Sequence, residues 1–402
     1  MRFFKICFSF FLTLGSLIPV VGSAAEAENS SLDIRIPVVD MNDFYLPAKR
    51  EAFLATLYDA MTTVGFFAVR NTGVNADIIR EAYSQAAAFF KSDPAFKATC
   101  IAERMKGQRG FVPGETAKGN NVKDFKEFYH FGREGFNPPN VWPEQAGFKE
   151  AIVALFNELE QYVIPLQQAI IATIKLKTNA DLSLDLLNQT TAVGDSILRS
   201  LYYPAVNQEA LQQLKQPLYW AAPHTDIDLL AILPFATEKG LQVEVNGQWL
   251  NVVVPSDAFV VNVGDMLENL TNGLFKSAKH RVLALEPNKD RFSMVFFVHP
   301  TDETRLDPLP ACIELTGGTQ KYAAGTRAEF LWERLLELGI APGLLSAYAQ
   351  TGHAERQMQF GKESPQVVEM LIKNNLASNE LIKAAQAKGA QYFSTTRPCG
   401  CK

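Results

Sequence analysis

The sequence predicts a mainly β fold with helices on either side of the β region, and three observations support this prediction. Beyond Asp185, short runs rich in β-branched and aromatic residues alternate with turn residues, a spacing typical of a sandwich or barrel. Within that region, Asn246-Gly247 is the dipeptide favoured at two-residue hairpin turns. Before and after it, apolar residues recur at helical spacing. The predicted strands of the β region span residues 197–203, 228–233, 241–245, 249–253, 258–263, 280–285, 292–298 and 311–315.

The flanking segments follow from the same signals. Asn75 is a suitable N-cap for one helix, and Pro165 is expected to interrupt another. Pro37 lies near the start of a predicted edge strand, where a missing N–H is tolerated. Helices are predicted over residues 47–64, 75–91, 148–177, 327–339 and 367–388, strands over 36–40 and 65–69, and a glycine-rich loop over 106–121.

The N-terminus has the pattern of a secretory signal peptide. Arg2 and Lys5 precede an apolar run over residues 6–21, and small residues follow at 22–25. The run is short for a membrane span, which needs roughly 20 apolar residues. We therefore expect cleavage near Ala24 or Ala25 and export to the periplasm or the exterior. An uncleaved membrane anchor is the alternative.

The chain divides into five predicted segments. The segments are residues 1–24 as signal peptide, 25–34 as linker, 35–184 as an N-terminal region of mixed helix and strand, 185–320 as the β core, and 321–402 as a C-terminal helical region with a tail.

The mature form is expected to have no membrane association, and no protein partner is predicted.

Composition excludes some classes of function. An apolar fraction of 47% and a charged fraction of 20% over 402 residues are those of an ordinary globular protein. The net charge is −5 and no basic stripe is present, so nucleic acid is not an expected partner.

The cysteine pattern does not point to a metal site. Cys7 would leave with the signal peptide, so four cysteines would remain, and they allow three disulfide pairings. Cys399-Gly-Cys401 has no nearby histidine, which favours thiols or a disulfide over metal binding. The other two cysteines are Cys100 and Cys312.

The histidines carry the first chemical signal. His224-Thr225-Asp226 is an H-x-D triplet at the entry to a predicted strand, where residues i and i+2 point to the same face. A second imidazole, His280, begins another predicted strand. Two histidines and one carboxylate that leave coordination positions open form the facial arrangement of non-haem Fe(II) oxygenases. The triplet alone is a weak signal, because a hydrogen-bonded histidine near a turn has the same pattern.

A second pair of residues strengthens the interpretation. Arg291 and Ser293 have the same i, i+2 spacing on a predicted strand, and together they can hold one carboxylate. A buried arginine in an apolar strand is costly without an anion. A dicarboxylate cosubstrate would supply that anion.

The ordered set of motifs resembles the isopenicillin N synthase-like group of Fe(II)/2-oxoglutarate dioxygenases. The resemblance extends from Ile36 to about Gly339. The family usually has Asn where Leu201 stands and His where Thr72 stands. The motifs that carry the resemblance are Ile36-Pro-Val-Val-Asp40, Gly65-Phe-Phe-Ala-Val-Arg-Asn71, Gly110-Phe-Val-Pro-Gly114, Pro223-His-Thr-Asp226, Val261-Asn-Val-Gly-Asp265, Thr271-Asn-Gly273 and His280-Arg-Val282.

The resemblance implies a fold and a set of ligands. The fold is a double-stranded β-helix, a jelly-roll core of roughly eight strands, with the site inside its mouth. The iron ligands would be His224, Asp226 and His280. The far carboxylate of 2-oxoglutarate would be held by Arg291 and Ser293, with a further contact from the tyrosine that precedes a proline, Tyr203-Pro204. No catalytic residue beyond the metal centre is expected.

The implied reaction uses Fe(II), 2-oxoglutarate and O₂. It oxidises a small-molecule substrate by hydroxylation, desaturation or ring closure, and it releases succinate and CO₂. An iron oxidase or cyclase that uses no 2-oxoglutarate is an alternative within the family. A non-catalytic metal- or ligand-binding protein on the same fold is the alternative from another class.

The remaining polar candidates have weaker cases. Asp228 is two residues after Asp226 and would share its strand face, and we expect it to be a supporting or turn carboxylate. For His130, lining of the substrate pocket and structural packing are both left as alternatives. His299 is expected to be structural, and His353 to lie in a surface loop.

Overall fold

The computed structural model describes residues 33–105, 107–114, 124–213, 218–389 and 392. The predicted signal peptide and the Cys399-Gly-Cys401 pair lie outside these residues. The helices in the described part of the chain all lack the length and apolar character that a membrane crossing requires.

The described strands form two sheets. One sheet has five strands in the order β1-β10-β9-β12-β7, and the other has eight in the order β2-β3-β11-β8-β13-β6-β5-β4. The strands are β1 (Asp33–Arg35), β2 (Val38–Asp40), β3 (Phe66–Arg70), β4 (Gly110–Val112), β5 (Glu127–Gly132), β6 (Ile197–Tyr203), β7 (Tyr219–His224), β8 (Leu230–Leu233), β9 (Leu241–Val245), β10 (Gln248–Val253), β11 (Phe259–Val263), β12 (His280–Leu283) and β13 (Arg291–Val298).

The chain winds between the sheets from β6 onward. Strands β6, β8, β11 and β13 lie in the larger sheet, whereas β7, β9, β10 and β12 lie in the smaller one. Among these described strands, only β9 and β10 follow each other within one sheet. Their turn has φ angles of 51° at Asn246 and 79° at Gly247, both in the left-handed region that the predicted Asn-Gly hairpin requires. This winding is that of an eight-stranded jelly roll, as predicted.

Helices flank this core at both ends of the chain. The helices are α1 (Met41–Tyr45), α2 (Pro47–Thr63), α3 (Ala76–Phe90), α4 (Pro94–Ala98), α5 (Phe148–Lys177), α6 (Asn188–Thr191), α7 (Gln208–Gln213), α8 (Asp265–Leu270), α9 (Pro310–Leu315), α10 (Arg327–Glu337), α11 (Leu345–Thr351), α12 (His353–Phe360), α13 (Pro365–Lys373) and α14 (Asn379–Lys388).

Helices α2, α3 and α5 share one hydrophobic core with the larger sheet. The ring of Phe156 on α5 meets Phe296 of β13 edge-on at 5.1 Å. Helix α5 is continuous, so the predicted interruption at Pro165 is wrong. A proline inside a helix costs about 3 kcal/mol. Buried residues on both sides of it, such as Val163 and Leu166, pack in the same core and hold the two halves in line.

The C-terminal helices have a core of their own. Leu336 of α10, Tyr348 of α11 and Leu371 of α13 belong to a hydrophobic cluster separate from the main core. The helical pattern over residues 367–388 forms two helices, because Asn375 adopts a φ of 57° and Ser378 caps α14.

Two further expectations change in the structure. Residues 311–315, predicted as a strand, lie in α9, where Pro310 occupies the first helical turn. A short apolar run does not distinguish a strand from a buried helix. The glycine-rich segment predicted as a loop contains the short strand β4. Cys100 and Cys312 are free and buried.

Candidate active site

Three predicted metal ligands lie together at the end of the smaller sheet. His224 is the last residue of β7, and His280, the first residue of β12, is its register partner. Asp226 lies in the turn beyond β7 rather than on the strand, so the turn brings its carboxylate to the imidazoles. Its oxygens lie 3.7 Å from His224 Nε2 and 3.5 Å from His280 Nε2. One ligand atom from each residue lies within 4.8 Å of the others.

Hydrogen bonds orient each of these side chains. His224 Nδ1 lies 2.7 Å from the carbonyl oxygen of Ala222, and His280 Nδ1 lies 3.2 Å from that of Ala278. A carbonyl only accepts, so Nδ1 carries a hydrogen in each ring, and Nε2 is the nitrogen directed toward Asp226. Asn262 Nδ2 donates to Asp226 Oδ2 over 3.0 Å.

The protonation states suit a cation. Burial, followed by the neighbouring His280, lowers the pKa of His224. Burial alone would raise the pKa of Asp226, but the two imidazoles and the Asn262 amide outweigh it and lower that pKa. Neutral imidazoles and an ionised carboxylate are the forms in which these groups bind metals. The donor set therefore fits a divalent transition metal such as Fe(II).

Asp228 stands apart from this set. It is fully buried, and neither carboxylate oxygen has a hydrogen-bond partner among the described residues. Burial and the nearby Asp226 and Asp265 raise its pKa well above the usual range. Gly264 packs against it so closely that an added Cβ would lie 1.9 Å from Asp228 Oδ1. Asp228 is thus a buried carboxylate near the ligand set, and its side chain forms no hydrogen bond with those ligands.

The predicted cosubstrate residues lie on two adjacent strands of the larger sheet. Arg291 is 2% exposed, and its Nη1 donates to Ser293 Oγ over 3.0 Å. Its Nε donates to the carbonyl of Glu238 over 3.0 Å. Tyr203 is the register partner of Arg291, whose Cζ lies 4.9 Å from the centre of the tyrosine ring.

Arg291 is a buried cation whose charge is not balanced locally. Its guanidinium donates hydrogen bonds to a hydroxyl and a carbonyl, and no carboxylate of the described residues forms an ion pair with it. Burying an unpaired guanidinium is costly. The site therefore fits a ligand that brings a carboxylate.

All six predicted site residues line one cavity of about 70 Å³. His224 and Asp226 also line a second cavity of about 580 Å³, so the two cavities meet at the candidate metal ligands. The larger volume is in the range of small-molecule sites. Apolar side chains of its wall include Phe111, Phe128, Phe297, Leu331, Leu335 and Leu338.

Two cations at the junction were not predicted. Lys126 and Arg199 line both cavities. Arg199 lies on β6 four residues before Tyr203, so the alternation of a strand places both on one face. That alternation was a usable signal for Arg199. Lys126 forms a buried ion pair with Asp124 at 2.7 Å, and its sequence context offers no such signal.

The other three histidines lie in different surroundings. His130 lines the larger cavity, and its Nε2 accepts from Arg199 Nε over 2.6 Å. His299 is buried, and its Nε2 lies 3.1 Å from the carbonyl of Ile227. His353 was expected at the surface, which is wrong. It is fully buried, between Phe330 and Tyr348, because the C-terminal helices enclose it.

Comparisons with known proteins agree with this geometry. Residues 36–145 match the family model described as "non-haem dioxygenase in morphine synthesis N-terminal". Residues 194–300 match the family model of the 2OG-Fe(II) oxygenase superfamily. The chain is 27% identical to 2-oxoglutarate-dependent dioxygenase 11 of Oryza sativa subsp. japonica over 320 residues, which cover 78% of this chain and 84% of that protein. It is 30% identical to gibberellin 20 oxidase 2 of Arabidopsis thaliana over 340 residues, which cover 81% of this chain and 84% of that protein.

The fold is also similar to that of solved structures. A full-length protein of Neurospora crassa, solved in complex with alpha-KG, matches with a TM-score of 0.67 and 26% identity, over 75% of this chain and 95% of that one. The predicted jelly-roll fold is thereby confirmed. The chain belongs to the 2OG-Fe(II) oxygenase superfamily, and it is a 2-oxoglutarate-dependent dioxygenase whose cofactors are Fe(II), 2-oxoglutarate and O₂.

Proposed function

We propose that His224, Asp226 and His280 hold the Fe(II), and that Arg291, Ser293 and Tyr203 hold the far carboxylate of 2-oxoglutarate. One observation carries this assignment. The six side chains line a single cavity, which therefore combines the metal donors with a buried guanidinium that has no ion-pair partner among the described residues.

The chain's own residues bind and orient the reactants. When bound, Fe(II) with 2-oxoglutarate and O₂ supplies the oxidant, and 2-oxoglutarate leaves as succinate and CO₂. Arg291 supplies the charge that pairs with the far carboxylate, and Ser293 adds a hydroxyl. The ring of Tyr203 packs against the guanidinium and limits its movement. Asn262 fixes the rotation of the Asp226 carboxylate.

The larger cavity receives the primary substrate, a small molecule. Because this cavity opens onto His224 and Asp226, a substrate bound in it presents a carbon to the metal. The apolar rings and leucines favour a substrate with an apolar body, and they shield the reaction from water. The outcome is hydroxylation, desaturation or ring closure of that substrate.

The test is an anaerobic titration. Full-length protein loaded with Fe(II) should develop a weak visible charge-transfer band on addition of 2-oxoglutarate, because the keto acid chelates the metal. Aerobic incubation should release succinate. Protein that binds Fe(II) but shows neither signal would refute the cosubstrate assignment, and O₂ uptake with another substrate would then favour an oxidase or cyclase.

We also propose that the mature protein begins near Ala25 and works outside the cytoplasm. The charged start, apolar run and small residues of the N-terminus support this. Mass spectrometry of protein purified from its own host is the test. An intact Met1 in the cytoplasmic fraction would contradict export, and an intact Met1 in the membrane fraction would favour the anchor.

A further inference from the structure

We infer that helix α8 fixes the spacing between the two chain segments that carry the metal ligands, and that Asp265 is the positioning residue. The inference rests on the proposed ligand set. It concerns how the ligands are held rather than which residues they are.

The first segment, the turn that contains Asp226, is bound to the start of α8. Asp265 N donates to the carbonyl of Asp226 over 2.8 Å, and Met266 N donates to that of Asp228 over 3.0 Å. Thr225, the middle residue of the H-x-D triplet, donates its hydroxyl to Asp265 Oδ2 over 3.1 Å. Three hydrogen bonds therefore tie this turn to one helical turn.

The second segment, which leads into β12 and His280, is bound to the same helix. Ser277 Oγ donates to Asp265 Oδ1 over 2.6 Å, and Ser277 N donates to Glu268 Oε2 over 2.6 Å. The two oxygens of Asp265 are thus divided between the segments, one to Thr225 and one to Ser277. A single carboxylate spans the two ligand-bearing segments.

The sheet alone leaves this spacing weakly defined. Strand β7 ends at His224, so Asp226 is outside the ladder. The register between β7 and β12 shifts between His280 and Val282, immediately next to the ligand. A register irregularity loosens the ladder at that point. The Asp265 carboxylate supplies a restraint where the strand hydrogen bonds are irregular.

Helix α8 is itself well anchored, so it can serve as a fixed reference. Asn269 Nδ2 donates to the carbonyls of Leu306 and Ala323, over 2.7 and 3.0 Å. Tyr322 Oη donates to Glu268 Oε1 over 2.5 Å. Met266 and Leu267 are fully buried. Displacing the helix would break these contacts, so strain at the metal site is not relieved by its movement.

The experiment measures metal binding rather than turnover. Co(II), a spectroscopic substitute for Fe(II), is titrated into the full chain in its wild-type, Asp265→Ala and Asp265→Asn forms. Asp265→Ala should weaken Co(II) about 10- to 100-fold, the usual effect of losing a group that orients metal ligands. It should also change the visible d–d bands, which report ligand geometry. Asp265→Asn keeps one carbonyl oxygen and should recover part of the affinity and of the spectrum.

A double-mutant cycle tests the route of the effect. Ser277→Ala should weaken Co(II) in the wild-type background and have little effect in the Asp265→Ala background, because the shared bond is already lost. Glu329→Ala is the matched control. It removes a carboxylate that accepts hydrogen bonds from Thr326 N and Arg356, and it lines neither cavity.

The outcomes separate this inference from the proposed function. Wild-type protein that binds no Co(II) would overturn the ligand set, and the inference with it. Wild-type protein that binds Co(II), with Asp265→Ala matching it in affinity and spectrum, would overturn only the positioning role. The same conclusion would follow if Glu329→Ala weakened Co(II) as much as Asp265→Ala did.

Discussion

The two cavities that meet at His224 and Asp226 are built from different kinds of structure. The lining residues of the smaller cavity lie on, or next to, strands of the two sheets. The larger cavity takes part of its wall from residues 101–103, 107–109 and 111–114 and from one face of α10. Sheet residues are held by hydrogen bonds to neighbouring strands, whereas loops and peripheral helices change at lower cost to the fold. We therefore propose that the chemistry shared by the family belongs to the smaller cavity, the rigid part, and substrate choice to the larger cavity, the exchangeable part.

The largest expected effect tests the rigid part at the metal. Asp226→Ala removes one of three proposed ligands and should weaken Fe(II) binding roughly 100-fold or more, beyond the effect of losing a ligand-orienting group. Folding should suffer little, because Asp226 lies outside the strand ladder and alanine removes the desolvated charge of a buried carboxylate. Anaerobic isothermal titration measures the affinity.

Asp228→Asn is the matched control for this substitution. It is nearly isosteric, and the raised pKa of Asp228 already favours the uncharged form that asparagine imitates. Fe(II) affinity close to wild type is expected. If Asp226→Ala keeps full affinity while Asp228→Asn loses it, the ligand assignment passes to Asp228.

The next effect concerns the proposed cosubstrate residues of the smaller cavity, Arg291 and Ser293. Arg291→Gln keeps similar bulk but loses the charge that pairs with the far carboxylate. Loss of a desolvated charge-assisted pair should cost about 2–5 kcal/mol, or roughly 30-fold or more in 2-oxoglutarate affinity. Ser293→Ala removes a neutral hydrogen bond and should cost about 0.5–1.5 kcal/mol. Titration of the charge-transfer band measures both.

Arg305→Gln provides the baseline for the arginine substitution. Its side chain is 59% exposed and pairs with Asp307 at the surface, where ion pairs contribute little. The 2-oxoglutarate affinity should stay at the wild-type value. Equal affinities of Arg291→Gln and Arg305→Gln would show that Arg291 does not bind the cosubstrate.

The exchangeable part is probed by two neighbouring leucines of α10. Leu335 faces the larger cavity, whereas Leu336 is 1% exposed within the C-terminal core. Leu336→Ala should destabilise the protein by about 2–5 kcal/mol, because it leaves a cavity in packed structure. Leu335→Ala should cost much less, since its side chain borders space that is already empty. Urea unfolding measures both variants.

The same pair tests whether the cavities are separable. Leu335→Ala should leave Fe(II) and 2-oxoglutarate affinities unchanged, because α10 contributes nothing to the smaller cavity. A large loss of 2-oxoglutarate affinity in this variant would mean that the two cavities are not independent parts.

This division also explains what could be predicted from sequence. His224 and Asp226, like Arg291 and Ser293, are two positions apart, but strand alternation explains only the second pair because Asp226 lies beyond the end of β7. Tyr203 was assigned through the family resemblance alone. The larger cavity is assembled from segments far apart in the chain, such as Phe111, Arg199 and Leu335, which no local pattern connects. Turn spacing predicted a β core but missed β7, which carries His224, and the eight-stranded jelly roll was implied by the family resemblance rather than by the spacing. The misassigned α9 and the burial of His353 depended on tertiary packing, which local propensity does not encode.

The smallest effect concerns pH, and it uses a buried histidine of the larger cavity that is not a proposed ligand. Burial, with the nearby charge of Arg327, lowers the pKa of His299 to about 3. The unfolded value is about 6.5, so the unfolded chain binds the proton more readily over the interval between them. This group's contribution to stability is therefore complete above pH 6.5 and is lost as the pH falls toward 3.

Metal-free protein should lose on the order of 1 kcal/mol through His299 between pH 7.5 and 5.5. His299→Gln retains an N–H that can donate to the Ile227 carbonyl but does not titrate, so its urea-derived stability should fall less over the same interval. Parallel pH profiles for the two proteins would mean that His299 takes up its proton without unfolding, and that this wall of the larger cavity admits water more readily than the packing around His299 indicates.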